Sequence, residues 1–138
     1  MSVRVIVTEK NGLIRGVLVD ALHEAGFEVV AQCGSAEEAL AAAARGNAEV
    51  LTTNVLLSGS TDGYALTARL RADRPELPVV IHTSFAGDEH IARARDAGAS
   101  GFLSKGGDVE ILIAAVGRVA AGGTWFPGDP AARPDERR

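Results

Sequence analysis

A single cysteine, Cys33, is the only thiol in the 138-residue chain, which excludes an intrachain disulfide and a cluster of thiolate metal ligands. No apolar run approaches the roughly 18 residues of a membrane span. The opening stretch MSVRVIVTEK runs straight into a strand-like segment and lacks the architecture of a signal peptide. Positive charge is not in excess: the formal net charge of −4 gives no reason to expect nucleic-acid binding by the chain as a whole. The expectation is a cytoplasmic protein that contacts neither membrane nor nucleic acid directly. What remains is ordinary material for a core, with 46% hydrophobic and 23% charged residues in a length that suits one compact domain.

Short apolar runs alternate with longer segments of helical periodicity. VRVIVT over 3–8 is β-branched and short, as a buried parallel strand is. Leu13, Ile14, Val17, Leu18, Ala21 and Leu22 then recur at helical spacing, and Gly26 closes that helix. FEVVAQ over 27–32 reads as a second strand, and Ser35 with Glu38 forms a capping box opening an alanine-rich helix that stops near Gly46. EVLTTN over 49–54 is the third strand, LLSGSTDG over 56–63 a turn-rich loop, and YALTARLRAD over 64–73 a helix. VVIHT (79–83) and SGFLS (100–104) complete the strands, with a helix over 88–97 between them that ends at Gly98. Asp108 is placed to cap a last helix whose apolar face is Val109, Leu112, Ile113, Val116 and Val119. Residues 124–138 read as a C-terminal tail or linker, leaving 1–123 as the folded domain.

Five strands alternating with five helices predict an α/β fold, a doubly wound five-stranded parallel sheet of the flavodoxin-like type. Functional groups then gather at the carboxyl ends of the strands. The residues expected there are Glu9, Lys10, Asn54, Thr83, Ser84, Ser104 and Lys105.

In that order and on those elements, the chain resembles the response-regulator receiver domains of two-component signalling, over about residues 3–123. The match rests on the strand–acid pattern of VIVTEKN, the DG at 62–63, the HTS ending the fourth strand, and GASGFLSK at the fifth. The resemblance implies a signalling domain rather than an enzyme, with a switch pair at Thr83 and Phe102 and the family's lysine at Lys105. It also implies a dimer or partner surface over 88–119, made by the fourth helix, fifth strand and last helix. The ending AAVGRVAAGGTWFP is similar to receivers that precede a LuxR-type helix-turn-helix domain, so a DNA-binding output domain is implied if the chain is a fragment of a longer regulator.

The departures fall on the groups that do the family's chemistry. The resemblance puts Glu9 and Lys10 where an acidic, Mg²⁺-binding pair stands, and Asn54 where an aspartate accepts the phosphoryl group. A carboxamide is a far poorer nucleophile than a carboxylate, because its nitrogen lone pair is delocalised and its oxygen carries no formal charge. With Lys10 and Lys105 both cationic and Glu9 the one acid, the pocket is expected to repel a divalent cation. Lys10 is expected either to bridge Glu9 and the Asn54 carbonyl as an internal cation or to swing to solvent. Because Lys10 still blocks the metal, Asn54→Asp alone is expected to fail to restore phosphorylation, and Asn54→Asp with Lys10→Asp is the combination expected to restore it. The reading that follows is a phosphorylation-independent receiver with weak or absent Mg²⁺ binding, acting through a protein partner or a homodimer. Two alternatives stay open: a substitute acceptor at Thr8, Thr52, Thr53 or Ser84, and an anion sensor using the cationic pocket. His82 reads as a packed histidine, His23 and His90 as surface residues, and Arg69, Arg71 and Arg74 as a solvated face.

Overall fold

Val5, Ile6 and Val7 are completely buried, and their β-branched side chains suit residues 4–8 to an interior strand of the sheet. The computed structural model describes residues 2–104 and 109–129. The elements run β1 (Arg4–Thr8), α1 (Gly12–Glu24), β2 (Glu28–Cys33), α2 (Ala36–Ala43), β3 (Val50–Thr53), α3 (Gly63–Asp73), β4 (Val79–Thr83), α4 (Asp88–Ala97), β5 (Gly101–Ser104) and α5 (Val109–Ala120). The strands lie parallel in the order β2-β1-β3-β4-β5, the doubly wound flavodoxin-like arrangement the sequence predicts. The chain reverses direction across the sheet between β1 and β3, so a crevice opens at their carboxyl ends. No helix among the described residues is long and apolar enough to cross a membrane.

Alternating strand residues feed two cores. Val5, Val7, Val50, Val80 and Leu103 pack with Leu18, Val19 and Leu22 of α1 and Leu112, Val116 and Val119 of α5. Ile6, Leu51, Ile81 and Phe102 pack on the opposite face with alanines of α2, Leu66 and Leu70 of α3 and Ala94 of α4. The helical row expected to face inward on α1 divides: Leu18 and Leu22 are buried, whereas Leu13 is 82% and Val17 57% exposed. Only one stripe of a 13-residue helix can reach the sheet, and Val19 takes the place that Leu13 and Val17 were expected to fill.

The helix starts follow local chemistry. The Asn11 side chain accepts from the amides of Leu13 and Ile14 at 3.0 Å, and Asp62 accepts from Ala65 at 2.9 Å. At α2 the capping box forms with a shift: Ser35 Oγ accepts from Glu38 N, while the Glu38 carboxylate reaches back to Gly34 N at 2.7 Å. Gly98 closes α4 in the left-handed conformation, with φ of 94°. The expected cap at Asp108 lies outside the described residues.

The domain boundary expected at 123 moves outward. Residues 124–129 read in the sequence as the start of a tail, yet Trp125 and Phe126 are 7% and 3% exposed, one in each core. Trp125 bridges to Gly101 on the free edge of β5, taking an amide hydrogen bond from Phe102 and donating to the Ser100 carbonyl. Two aromatic side chains and the unpaired edge of β5 hold the segment down, where a polar composition further on suggested a linker.

Candidate functional site

Parallel pairing of β1 with β3 ends on Thr8 opposite Thr53, so the next residue of each strand, Glu9 and Asn54, meet in the crevice. The third strand stops at Thr53 rather than 54, because the Asn54 side chain turns back and its Oδ1 accepts from Val55 N at 2.7 Å. That contact fixes which way the amide faces. Its Nδ2 then donates to Glu9 Oε1 at 3.1 Å.

Glu9 is 2% exposed, so its carboxylate depends on the groups around it. Oε2 accepts from the Asn11 amide at 3.1 Å, and the Arg15 guanidinium donates to the Glu9 carbonyl at 2.6 Å. Gly63 closes the floor behind Asn54: a Cβ there would lie 2.1 Å from the Asn54 carbonyl oxygen. Only glycine lets α3 start so near the end of β3.

Lys10 is exposed and makes no hydrogen bond or ion pair among the described residues. The internal bridge expected of it does not form. The amide of Asn54 supplies the donor to Glu9 instead, at no cost of burying an ammonium group. Lys105 lies outside the described residues. Glu9 is thus the one carboxylate that the described crevice presents, and its two oxygens already accept from Asn54 and Asn11. Mg²⁺ takes oxygen ligands in octahedral array and leans on carboxylates, and the Nδ2–H₂ group of Asn54 presents hydrogens, not lone pairs, to this space. Among the described residues no three His, Cys, Asp or Glu side chains converge to hold a metal ion. The donor set does not suit Mg²⁺.

Thr83 and Phe102 are 1% and 2% exposed, with Phe102 packed in the core under α4. Thr83 Oγ1 accepts from Phe85 N at 3.2 Å, tying the hydroxyl to the loop before α4. Of the substitute acceptors, Thr8, Thr52 and Thr53 are all buried, and Thr53 donates its hydroxyl to the Asn54 carbonyl at 2.8 Å. Ser84 alone of the four is exposed.

Other residues depart from their sequence reading. His90 is not a bare surface residue: Nδ1 lies 2.9 Å from Tyr64 Oη and the ring stacks on Phe85 at 5.0 Å. Arg93 lies over the Tyr64 ring, 4.3 Å from its centre, and burial pushes the Tyr64 phenol above its ordinary pKa. His23 is exposed and His82 half-buried, as read. Arg69 pairs with Asp73, while Arg71 and Arg74 donate to the carbonyls of Pro75 and Ala44, so this basic face is bound to its own surface. Cys33 is buried, and burial pushes its thiol up to about 11. Sequence reasoning missed Asn11 and Arg15; an Asn before a helix start is a capping signal that was available, whereas nothing in the spacing aims Arg15 at the Glu9 carbonyl.

The family model of the response regulator receiver domain matches residues 5–117. The chain is 32% identical over 113 residues to the transcriptional regulatory protein PdtaR of Mycobacterium tuberculosis, covering 82% of this chain and 54% of that protein. It is 26% identical over 127 residues to the response regulator VraR of Staphylococcus aureus, covering 91% of this chain and 60% of VraR. The chain therefore spans little more than half the length of these relatives. A LuxR-family two-component response regulator from Aurantimonas superposes with a TM-score of 0.87 at 24% identity, covering 100% of this chain and 99% of that one, which shows the shared fold. With sheet order, crevice and the match over residues 5–117 in agreement, the chain belongs to the response-regulator receiver family.

Proposed function

We propose that this receiver domain signals without being phosphorylated, by contact with a protein partner or a second copy. The observation that carries the reading is the hydrogen bond from Asn54 Nδ2 to Glu9 Oε1 at 3.1 Å. Two carboxylates at that separation repel by roughly 5 kcal/mol at an effective dielectric near 20, and need a cation between them. An amide facing a carboxylate instead makes a charge-assisted hydrogen bond worth about 1.5–3 kcal/mol. The Glu9–Asn54 contact forms with neither metal nor phosphate, and an amide is a far poorer nucleophile than a carboxylate.

Thr83 and Phe102, both buried, are read as the pair that couples the pocket to the α4 surface, and the equilibrium of that surface would then be set by a partner rather than by a phosphoryl group. PdtaR is a transcriptional regulatory protein, and a similar output through further sequence is the corresponding role for this domain. The face over 88–119 is one candidate contact surface. Incubation with acetyl phosphate and Mg²⁺, followed by intact-mass measurement, tests the reading. The expected result is no gain beside a control receiver that labels fully. A stoichiometric gain of one phosphoryl group would overturn it and favour the second reading, an acceptor at Ser84, which peptide mapping would identify.

A further inference from the structure

Of the ten residues of α4, Ala94 alone is buried, with Ile91 half-buried against the core. The other helices each bury three or more residues, so α4 owes more of its position to side chains that reach it from other elements. His90 and Arg93 stand one turn apart on α4 and meet the same residue of α3, Tyr64. His90 Nδ1 lies 2.9 Å from Tyr64 Oη, and the Arg93 guanidinium lies 4.3 Å from the Tyr64 ring centre. The His90 ring runs nearly parallel to that of Tyr64, at 12° and 6.4 Å, and to that of Phe85, at 10° and 5.0 Å, so three rings form one stack. Both ends of the stack lead to the crevice. Tyr64 follows Gly63, whose amide donates to the Val55 carbonyl at 2.8 Å, just beyond Asn54. Phe85 N donates to Thr83 Oγ1 at 3.2 Å, at the end of β4.

We propose that the Tyr64–His90–Phe85 stack is a lock that fastens the start of α4 to the crevice and holds the domain in one arrangement without a phosphoryl group. The hydroxyl of Tyr64 donates to the ring nitrogen or accepts from it, so the contact holds in either tautomer of His90. Rotation of α4 by one residue, about 100° at the helical repeat, carries His90 away from both rings and breaks the hydrogen bond in the same movement. The contacts therefore form and break together, as a two-state element requires. On the opposite flank of α4, Arg95 lies 4.0 Å from the Phe126 ring centre, but that contact leads to the edge of β5 and not to the crevice. A partner that needs α4 displaced binds only the fraction of molecules in which the stack is open, and its apparent affinity falls by that fraction. The proposal rests on the reading that the domain signals unphosphorylated, and it names what sets the position of α4 in that case.

Hydrogen exchange of the full chain, read by mass spectrometry over α4 with α1 as the internal reference and no phosphoryl donor present, tests the lock. Tyr64→Phe removes one oxygen and keeps the ring, whereas His90→Ala removes the middle of the stack. Each should speed exchange in α4 about tenfold, the scale of one net hydrogen bond, and leave α1 unchanged. Tyr64 is the only tyrosine of the chain, so the absorbance of its phenolate reports on this site alone. Burial holds its ionisation above the ordinary value, with Arg93 opposing and Asp62 and Glu89 adding to the shift. His90→Ala should bring that ionisation down toward the ordinary value. Thermal melts of both variants verify the fold. An α4 that exchanges freely in the parent, exchange in α4 that neither variant changes, or a rise shared equally by α1 would overturn the proposal. So would a Tyr64 titration that His90→Ala does not move. Failure of the underlying reading appears elsewhere, as a phosphoryl mass gain of the parent after acetyl phosphate treatment, whatever the exchange shows.

Discussion

Replacing Asn54 by aspartate tests the pocket most directly. The substitution removes the donor that lies 3.1 Å from Glu9 Oε1 and puts a second carboxylate beside a carboxyl group only 2% exposed. The lost charge-assisted hydrogen bond is worth about 1.5–3 kcal/mol, and the new repulsion at fixed geometry roughly 5 kcal/mol. Rotation of the new side chain and uptake of a proton relieve much of this, leaving a net cost of about 3 kcal/mol at neutral pH, or roughly 10 °C in melting temperature. The pH dependence has a definite sign. The repulsion raises the pKa of the introduced carboxyl group in the folded state above its unfolded value, so the folded variant binds the extra proton. Stability relative to the parent is therefore lost as pH rises through the folded pKa. It recovers toward acid, where the introduced carboxyl group, once protonated, again donates to Glu9. Mg²⁺ should raise the melting temperature of the variant and leave the parent unchanged, because only the variant offers two carboxylates to one cation. Thermal melts at pH 5 and 7.5, each with and without Mg²⁺, measure all of this. Lys10 is exposed, so its charge is screened by solvent and we no longer expect it to bar the metal from a second carboxylate, contrary to the expectation that it would. Asn54→Asp should regain Mg²⁺-dependent labelling by acetyl phosphate, and adding Lys10→Asp should strengthen it. A variant that melts within about 2 °C of the parent at both pH values, with no response to Mg²⁺, would refute the account of the Glu9–Asn54 pair.

Gly63→Ala should cost about 2–3 kcal/mol in urea unfolding, since the new methyl would sit 2.1 Å from the Asn54 carbonyl oxygen and must push α3 or the end of β3 aside. Trp125→Ala should cost about 3–5 kcal/mol, as the loss of a large buried aromatic does. Truncation after Gly123 should cost at least as much, and a truncated chain of parental stability would return 124–129 to the status of a linker. The Cys33 thiol, pushed up to about 11, should react with Ellman's reagent at pH 8 far more slowly in the folded chain than in urea. Equal rates would show that the site opens readily.

The strands and their order were legible because buried parallel strands announce themselves as short β-branched runs, and VRVIVT and VVIHT do so without ambiguity. The helix start at Ser35 and the stop at Gly98 rest on local hydrogen bonds and backbone angles that one or two residues dictate. The α1 row was harder: Leu13, Val17, Leu18 and Leu22 share a helical period, and the sequence has no means of saying which edge of a wide apolar face a sheet will cover. Trp125 and Phe126 were hidden by their setting, two aromatics between glycines and a polar tail, whose burial depends on an edge of β5 over twenty residues away. In the pocket, position was legible and direction was not. Register brings Glu9 and Asn54 together, but whether Lys10 or the amide would serve Glu9 turns on side-chain direction at a strand end. His90 likewise carried no motif, and its partners Tyr64 and Phe85 come from two other segments.

The amide at 54 is held at both ends. Its oxygen is committed to Val55 N and its nitrogen to Glu9, so the two ends of one planar group answer two fixed partners. Alanine or serine at 54 would leave Glu9 with one fewer donor in a buried setting, and glutamine would carry its amide a methylene too far to keep both contacts. Aspartate keeps the contact to Val55 and reverses the sign of the contact to Glu9. Of these side chains, asparagine is the one that satisfies both contacts without adding charge to the crevice. The same logic explains why Lys10 stays in solvent. Once the amide donates to Glu9, burying an ammonium group beside it would add a desolvation cost that the contact already made does not require.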